Sequence, residues 1–570
     1  MLSVPPDGLE DDPEAWEEVS DASARLNIPA NLAPPSPWPC SLPAQPVARS
    51  LSYRFTIMSP RMLPTCEVRN PYLQSWFPLS LQDAALFPAL LSSTLTHRRA
   101  RCLLGEEWPD GFDDQDRSLL AACYAHTVSA LNGVLRQPLH GVSDATLLAV
   151  LMLVEGPTIP VARDWTTPPV FRAPLQGMQW LKVHGARKPH EAHQRGLCRL
   201  VQLKGGLSRI QLPGVAAAIS FRLLVNATLT LSVPPLPFHP LSEGSAQTVP
   251  EFLASCADAG SHGSGRFAEV GLPADMRPIF EAMALYTAMV EQYLRGEIAR
   301  PDTQAMCDQR NLIQHGLLSL HPAEGSSDSA RFYEVCRASA LIFSVGVIFP
   351  LPAATAPFAA LVQTLRTHLG DAPPLEDGGP AFPAAPALRL WIIAMGGIAA
   401  TGTPEREWFV GRLQHSARQA GLGEWQALRQ SLQTILWLDS ACDAAGEQLW
   451  TEAQELRPWR PARPVPARPT YGTQLDDVQG PRRREPPCTP CRNRGVRCNK
   501  GLPCQTCVRH GIRCSYGARD AVVVPARVHV FSMRRQPCQL CKQRKVRCER
   551  QRPCQSCVKA GLTCIPLSRS

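Results

Sequence analysis

Apolar residues recur three and four positions apart along most of residues 65–456, which is the spacing of amphipathic α-helices. The run at 116–137 shows this spacing, and the run at 193–210 repeats it up to the helix-ending pair Gly205–Gly206. No segment alternates between apolar and polar positions as a half-buried strand does. The pattern therefore predicts a mainly all-α helical domain over 65–456.

Two stretches are apolar on nearly every side, which predicts buried helices. The stretch at 142–156 begins with a cap at Ser143, and the stretch at 330–349 is ended by Pro350. The longest uncharged run, 338–365, contains that proline, so only about a dozen residues precede the break, too few to cross a bilayer. No membrane partner is predicted.

The remaining segments outside the predicted helices are distinguished by their proline content and their charge. Residues 1–64 are proline-rich and begin acidic, which predicts a disordered N-terminal region. Residues 157–189 are predicted to be an irregular insertion within the helical domain. The Pro/Arg-rich stretch at 457–487 is predicted to be an extended linker.

Charge is distributed unevenly along the chain. Residues 481–570 carry 21 Lys and Arg against 3 Asp and Glu, whereas the rest carries 37 against 46. A strongly basic tail on an acidic body is typical of a nucleic-acid-binding module on a separate domain.

The basic tail contains the pattern C-x2-C-x6-C-x5-C-x2-C-x6-C twice, at 488–514 and 538–564, joined by a linker at 515–537. Each cysteine of the first copy has its counterpart fifty residues later. The twelve predicted metal ligands are Cys488, Cys491, Cys498, Cys504, Cys507, Cys514, Cys538, Cys541, Cys548, Cys554, Cys557 and Cys564.

The number of thiols in each copy indicates the metal. Thiolates suit zinc, which takes four ligands in a tetrahedron. One zinc would leave two buried thiols over, whereas two zincs use all six if two sulfurs bridge both metals. Each copy is too small for its own hydrophobic core, so metal binding must supply its folding energy. The prediction is two Zn²⁺ per cluster and four per chain.

This tail resembles the fungal Zn(2)-Cys(6) binuclear zinc cluster of transcription factors. The resemblance implies that the first and fourth cysteines bridge the metals, which are Cys488 and Cys504, then Cys538 and Cys554. It also implies a short helix in the DNA major groove that reads a CGG-like triplet, largely through the residue equivalent to Lys545. The implied function is a sequence-specific regulator of RNA polymerase II genes that binds double-stranded DNA in the nucleus.

The two copies differ at the base-reading position. The basic residues of the second copy are Lys542, Arg544, Lys545 and Arg547, and those of the first are Arg492, Arg494 and Arg497. Gly495 stands in the first copy where Lys545 stands in the second, and it has no side chain to reach a base. We therefore expect the second cluster to specify sequence and the first mainly to hold phosphates.

The body also resembles a known family, the fungal-specific transcription factor regulatory domain. The likeness rests on NPYLQSWFPLSLQDAALFPALL, on H-x2-GL-x2-LV-x-LKGGL from His193, on FYEVCRASALIFSVGVIFPLP and on the segment from Trp408 to Trp450. It implies a helical scaffold that contacts coregulators or the transcription machinery, and no catalytic residues, so no enzyme is predicted. The alternative is an adaptor or corepressor whose clusters bind DNA only non-specifically. Oligomeric state stays open.

Overall fold

The computed structural model describes residues 42–62, 70–105, 111–136, 142–154 and 167–456, apart from 188, 243, 259–266, 268, 324, 326 and 371–384. In the tail it describes 488, 490–491, 494, 496, 498, 504–510 and 512. The chain divides into two compact units, Met1–Arg463 and Pro464–Ser570.

The first unit is helical, and its described residues contain no strand, which confirms the predicted fold class. Its helices are α1 Ala44–Tyr53, α2 Ser59–Met62, α3 Phe77–Ser80, α4 Leu86–Leu103, α5 Asp114–Leu135, α6 Asp144–Val154, α7 Leu181–Gly185, α8 Glu191–Lys204, α9 Val215–Thr230, α10 Val249–Asp258, α11 Arg277–Leu294, α12 Thr303–Ser319, α13 Asp328–Phe343, α14 Phe358–Leu369, α15 Pro386–Ala399, α16 Arg406–Gln419, α17 Trp425–Gln433 and α18 Asp439–Glu455.

The prediction of disorder over 1–64 is wrong for the part of that segment that the structure describes. The chain is helical from Ala44 to Met62, and Val47 and Leu51 are buried in the core. Pro46 lies in the first turn of α1, where its missing N–H has no hydrogen bond to lose. Proline content suggested disorder here, yet these prolines occupy positions that a helix accepts.

The described residues include three π-helical turns that continue or precede α-helices. They are Arg54–Met58, Tyr72–Trp76 and Ser344–Ile348. In each case a proline follows two residues after the turn ends. A proline ring clashes with the carbonyl four residues earlier, and wider turns relieve that clash. At the third turn, the N–H of Phe349 donates to the carbonyl of Ser344, five residues back, at 2.6 Å.

The N-terminal part of the core surrounds α4. Helices α5 and α6 both pack against α4, and every residue from Thr146 to Val154 is buried. The hydroxyl of Ser143 accepts a hydrogen bond from the Thr146 N–H at 3.1 Å, which confirms the predicted cap. Helix α5 begins with a reciprocal capping box between Asp113 and Asp116.

Part of the predicted irregular insertion is ordered helix. Residues 178–180 form a tight turn, with Gln179 and Trp180 in the left-handed region, and residues 181–185 form α7; Trp180 and Leu181 are buried. Phe171, upstream of them, is only 2% exposed. The prediction of irregular chain over 157–189 therefore needs correction at 181–185, because apolar side chains there join the core despite the surrounding prolines.

The C-terminal part of the core surrounds α13 and α15. From Phe332 onward, α13 and its π-helical continuation are buried at every position except Tyr333 and Arg337, and the helical run ends just before Pro350, as predicted. Gly396 and Gly397 of α15 leave room for the side chains of Phe409 and Leu449. The indole N–H of Trp391 donates to the Leu436 carbonyl at 2.6 Å.

Among the described helices, α5 alone has the length and hydropathy of a membrane-spanning segment. It begins with Asp114 and Asp116, and it packs against α4 and α6 through a face that includes Leu119, Cys123 and Leu131. A helix on the flank of a folded core meets the same length and composition criteria, so this feature is weak evidence for a membrane.

Candidate metal centre

Four thiol sulfurs meet in the C-terminal unit. They belong to Cys488, Cys491, Cys504 and Cys507, all lie within 4.8 Å of one another, and none of the residues is more than 2% exposed. The four distances between the first pair and the second pair run from 3.5 to 3.9 Å. A disulfide would need about 2.05 Å between sulfurs, so these are separate thiols.

Two similar backbone turns bring the sulfurs together. After the first pair, the Val496 N–H donates to the Cys491 carbonyl at 3.1 Å, and after the second pair the Ile512 N–H donates to the Cys507 carbonyl at 2.9 Å. Cys504 immediately precedes a short helix, α19 Gln505–Arg509. Each C-x2-C pair is thus held by the same turn.

This likeness of the two turns follows a repeat within the module. The halves CTPCRNRGVRC and CQTCVRHGIRC share the pattern C-x2-C-x4-[VI]-R-C. The predictions from sequence rested on the fifty-residue repeat and missed this shorter one, although the shorter repeat is plain in the sequence. The short repeat explains why four sulfurs converge from two segments.

The local environment biases the protonation of the thiols. The Cys507 N–H donates to the Cys504 sulfur at 3.4 Å and lowers the pKa of that thiol to about 6. Burial raises the pKa of Cys491 to about 12. A metal binds the thiolate form, so metal binding at Cys491 must displace a proton.

The residues present fit zinc. Zn–S bonds of about 2.3 Å in a tetrahedron place sulfurs about 3.8 Å apart, close to the observed separations. Cys498 is partly buried and packs against the four-sulfur group. The sixth thiol of this copy, Cys514, lies outside the described residues.

The structure places only one of the predicted DNA contacts. Arg494 is exposed beside the four sulfurs, and its N–H donates to the Pro490 carbonyl at 3.3 Å. The other predicted contacts lie outside the described residues, as does the second cluster; they are Arg492, Arg497, Lys542, Arg544, Lys545 and Arg547, with Cys538, Cys541, Cys548, Cys554, Cys557 and Cys564.

The body holds buried charged groups that the apolar pattern of the sequence does not reveal. The side chains of Arg54, Arg98, Arg187 and Arg222 are each at most 3% exposed. Apolar periodicity does not mark such residues, because a long basic side chain on a helix normally reaches water.

Comparison with known proteins agrees with the geometry of the tail. Residues 486–520 and 536–570 each match the family model of the fungal Zn(2)-Cys(6) binuclear cluster domain. No curated protein and no solved structure gives a significant match to the chain. The resemblance of the body to a regulatory domain stays a prediction.

The family match supports zinc binding and a DNA-binding transcription regulator in general, and it points to a transcription factor and not to an enzyme. Transcription factors with this domain are generally nuclear. The two C-terminal segments of this chain are fungal Zn(2)-Cys(6) binuclear cluster domains.

Proposed function

We propose that this chain regulates transcription by placing two binuclear zinc clusters on DNA, with the second cluster reading a CGG-like triplet in the major groove. The observation that carries the proposal is the buried four-sulfur group, whose 3.5–3.9 Å separations suit zinc and whose cysteine pattern recurs fifty residues later. The match of both copies to the zinc-cluster family supports it.

Each cluster holds two zinc ions in this proposal. The four described sulfurs include both thiols assigned to bridge the metals, Cys488 and Cys504, and one further ligand from each half of the module, Cys491 and Cys507. Cys498 and Cys514 complete the set of six. Bound zinc would supply the folding energy that a module of this size lacks.

The clusters have different roles. Lys545 reads base edges in the second cluster, and Lys542, Arg544 and Arg547 hold the phosphates around it. The first cluster has Gly495 at the corresponding position and binds phosphates through Arg492, Arg494 and Arg497. The exposure of Arg494 supports this role.

The remaining segments serve this arrangement. The 23-residue linker at 515–537 spans at most about 75 Å, enough to place both clusters on neighbouring triplets. The acidic helical body, 65–456, is the regulatory domain that contacts coregulators or the transcription machinery. The protein acts in the nucleus.

Equilibrium binding of the zinc-loaded full chain tests the proposal. One duplex carries two CGG triplets, and the other carries the same bases in scrambled order. Lys545→Ala should reduce the preference for the first duplex about tenfold or more, since a good base contact contributes about 1–3 kcal/mol of discrimination. The matched control is Lys559→Ala, which removes a lysine from the same cluster outside the basic segment and should leave the preference unchanged.

Two outcomes would count against sequence reading. A Lys545→Ala protein that keeps its full preference would remove the assigned role of that lysine. Salt-sensitive binding without any preference in the unmodified protein would mean that the clusters hold phosphates alone. The adaptor or corepressor function, which Gly495 already favours for the first cluster, would then take precedence.

A further inference from the structure

A small cavity in the N-terminal part of the body is lined by basic side chains. Its volume is about 50 Å³, and its polar lining consists of Arg54, Tyr72, Ser93, Gln179, His184 and Arg222. None of the residues that line it is acidic. At about 10–15 Å³ for each water, the cavity holds about four waters or one small ion.

Arg54 is the central residue of this cavity. It is 1% exposed, and its Nη1 donates to the Thr94 hydroxyl at 2.9 Å and to the Leu90 carbonyl at 3.3 Å. Its Nε and Nη2 have no hydrogen-bond partner among the described residues. Its guanidinium lies 5.0 Å from the ring centroid of Tyr72. A buried guanidinium with two unused donors is costly unless something pairs with it.

A second cation lies on the same cavity. Arg222 is 3% exposed, and its Nη1 lies 3.1 Å from Nδ1 of His184. Burial lowers the pKa of Arg54 to about 10 and that of Arg222 to about 9, so both stay protonated at neutral pH. Two positively charged side chains therefore line the cavity. The cavity is too small to admit a side chain from another part of the protein.

The backbone around the cavity is irregular on three sides. Arg54 and Tyr72 are each the first residue of a π-helical turn, and such turns occur often at functional sites. Gln179 has a φ of 54°, in the left-handed region that a non-glycine residue rarely adopts. Its side-chain oxygen accepts from Nη2 of Arg310 at 2.7 Å, which holds it there. Strain of this kind is concentrated at ligand sites.

We propose that this cavity binds a small oxyanion, a carboxylate or a phosphate group, between Arg54 and Arg222. A planar guanidinium matches either group through paired N–H···O bonds. The neutral hydroxyls of Tyr72 and Ser93 are further donors on the lining. The site is distinct from the zinc clusters and does not depend on their function.

Thermal unfolding of the full chain tests this site, followed by tryptophan fluorescence. No tryptophan lies in 464–570, so the signal reports the body. The probes are 10 mM inorganic phosphate and 10 mM acetate, each compared with sodium chloride at equal ionic strength. One of the two should raise the midpoint by about 3 °C or more, and which one does so distinguishes a phosphate from a carboxylate site.

Three variants make the test specific. Arg54→Met keeps the side-chain length without the charge and should abolish the shift, and calorimetry should show anion affinity lowered about 100-fold. Ala218→Met fills the cavity, keeps every charge and should also abolish the shift. Arg406→Met removes an arginine that pairs with Glu452 elsewhere in the body, and it should respond like the unmodified protein.

Two results would overturn the proposal. One is an unmodified protein that responds to neither anion beyond the chloride control. The other is an anion shift that persists in both Arg54→Met and Ala218→Met, which would place the binding elsewhere, for instance on the basic tail.

Discussion

The sulfurs of Cys491 and Cys504 lie 3.5 Å apart, although the two residues are thirteen positions apart in the chain. This distance is too long for a disulfide bond. A module of under thirty residues is also too small for an apolar core that would hold the two sulfurs together. A shared metal explains this approach, because two thiolates on one zinc lie at about this distance.

The first prediction concerns the number of metals. The purified full chain should contain four zinc ions, and Cys504→Ser should lower the count to about two, because a bridging thiol serves both metals of its cluster. Elemental analysis measures this. Cys307→Ser, which changes a buried thiol of the body, should leave the count at four. Four zinc ions in the Cys504→Ser protein would contradict the bridging assignment.

The second prediction is that one substitution enables the first cluster to read a base. Gly495→Lys should give that cluster the base-reading lysine that the second cluster has. The substituted protein should then bind a duplex with two CGG triplets about tenfold more tightly than a duplex with one. Gly501→Lys adds the same charge in the loop of the same cluster. An equal gain from both substitutions would mean that added charge, and not position, is responsible.

The third prediction concerns a buried ion pair. Nη1 of Arg98 lies 3.1 Å from the carboxylate of Asp116, and both side chains are at most 2% exposed. Arg98→Met would remove the buried cation that pairs with this carboxylate. The free energy of unfolding of the body, measured in urea, should fall by about 3 kcal/mol. The exposed pair Arg117–Asp114 provides the control, since Arg117→Met should cost less than about 1 kcal/mol. Similar losses in the two variants would contradict the argument.

The fourth prediction compares two helical glycines. A methyl group on Gly396 would clash with the ring of Phe409, so Gly396→Ala should lower the free energy of unfolding by about 1–3 kcal/mol. Gly411 of α16 has open space around it, so Gly411→Ala should raise that free energy by up to about 1 kcal/mol. Urea unfolding should give opposite signs, and the same sign for both would contradict the packing.

The fifth prediction is a pH dependence of the body. Burial lowers the pKa of His97 and His184 well below the usual value, so the folded protein keeps both neutral while the unfolded chain takes up protons below about pH 6.5. Stability should be full above that pH and should fall below it, by about 1.4 kcal/mol per pH unit for each histidine.

Unfolding between pH 7.5 and 5.5, followed by tryptophan fluorescence, measures this slope. His97→Asn should make the slope shallower, whereas His126→Asn, at an exposed position, should not. Identical slopes in the two variants would remove His97 from the explanation.

The helices of the body and the four cysteines that meet in the first copy could be predicted from sequence for a physical reason. Apolar residues on nearly every side mark α6 and α13 as buried helices, and thiol spacing determines which metal a short module can hold. Helix α1 was not predicted, because the proline content of a segment does not show where in a helix each proline lies. Pro46 lies in the first turn of α1, which accepts a proline. The cavity beside Arg54 was missed because it forms only when distant segments pack together.

The measurement that tests the central claim most directly is selection from random duplex DNA by the zinc-loaded full chain. We expect enrichment of CGG-like triplets by the unmodified protein and by Lys559→Ala, and loss of that enrichment in Lys545→Ala. Binding that enriches no sequence and weakens uniformly with salt would contradict it.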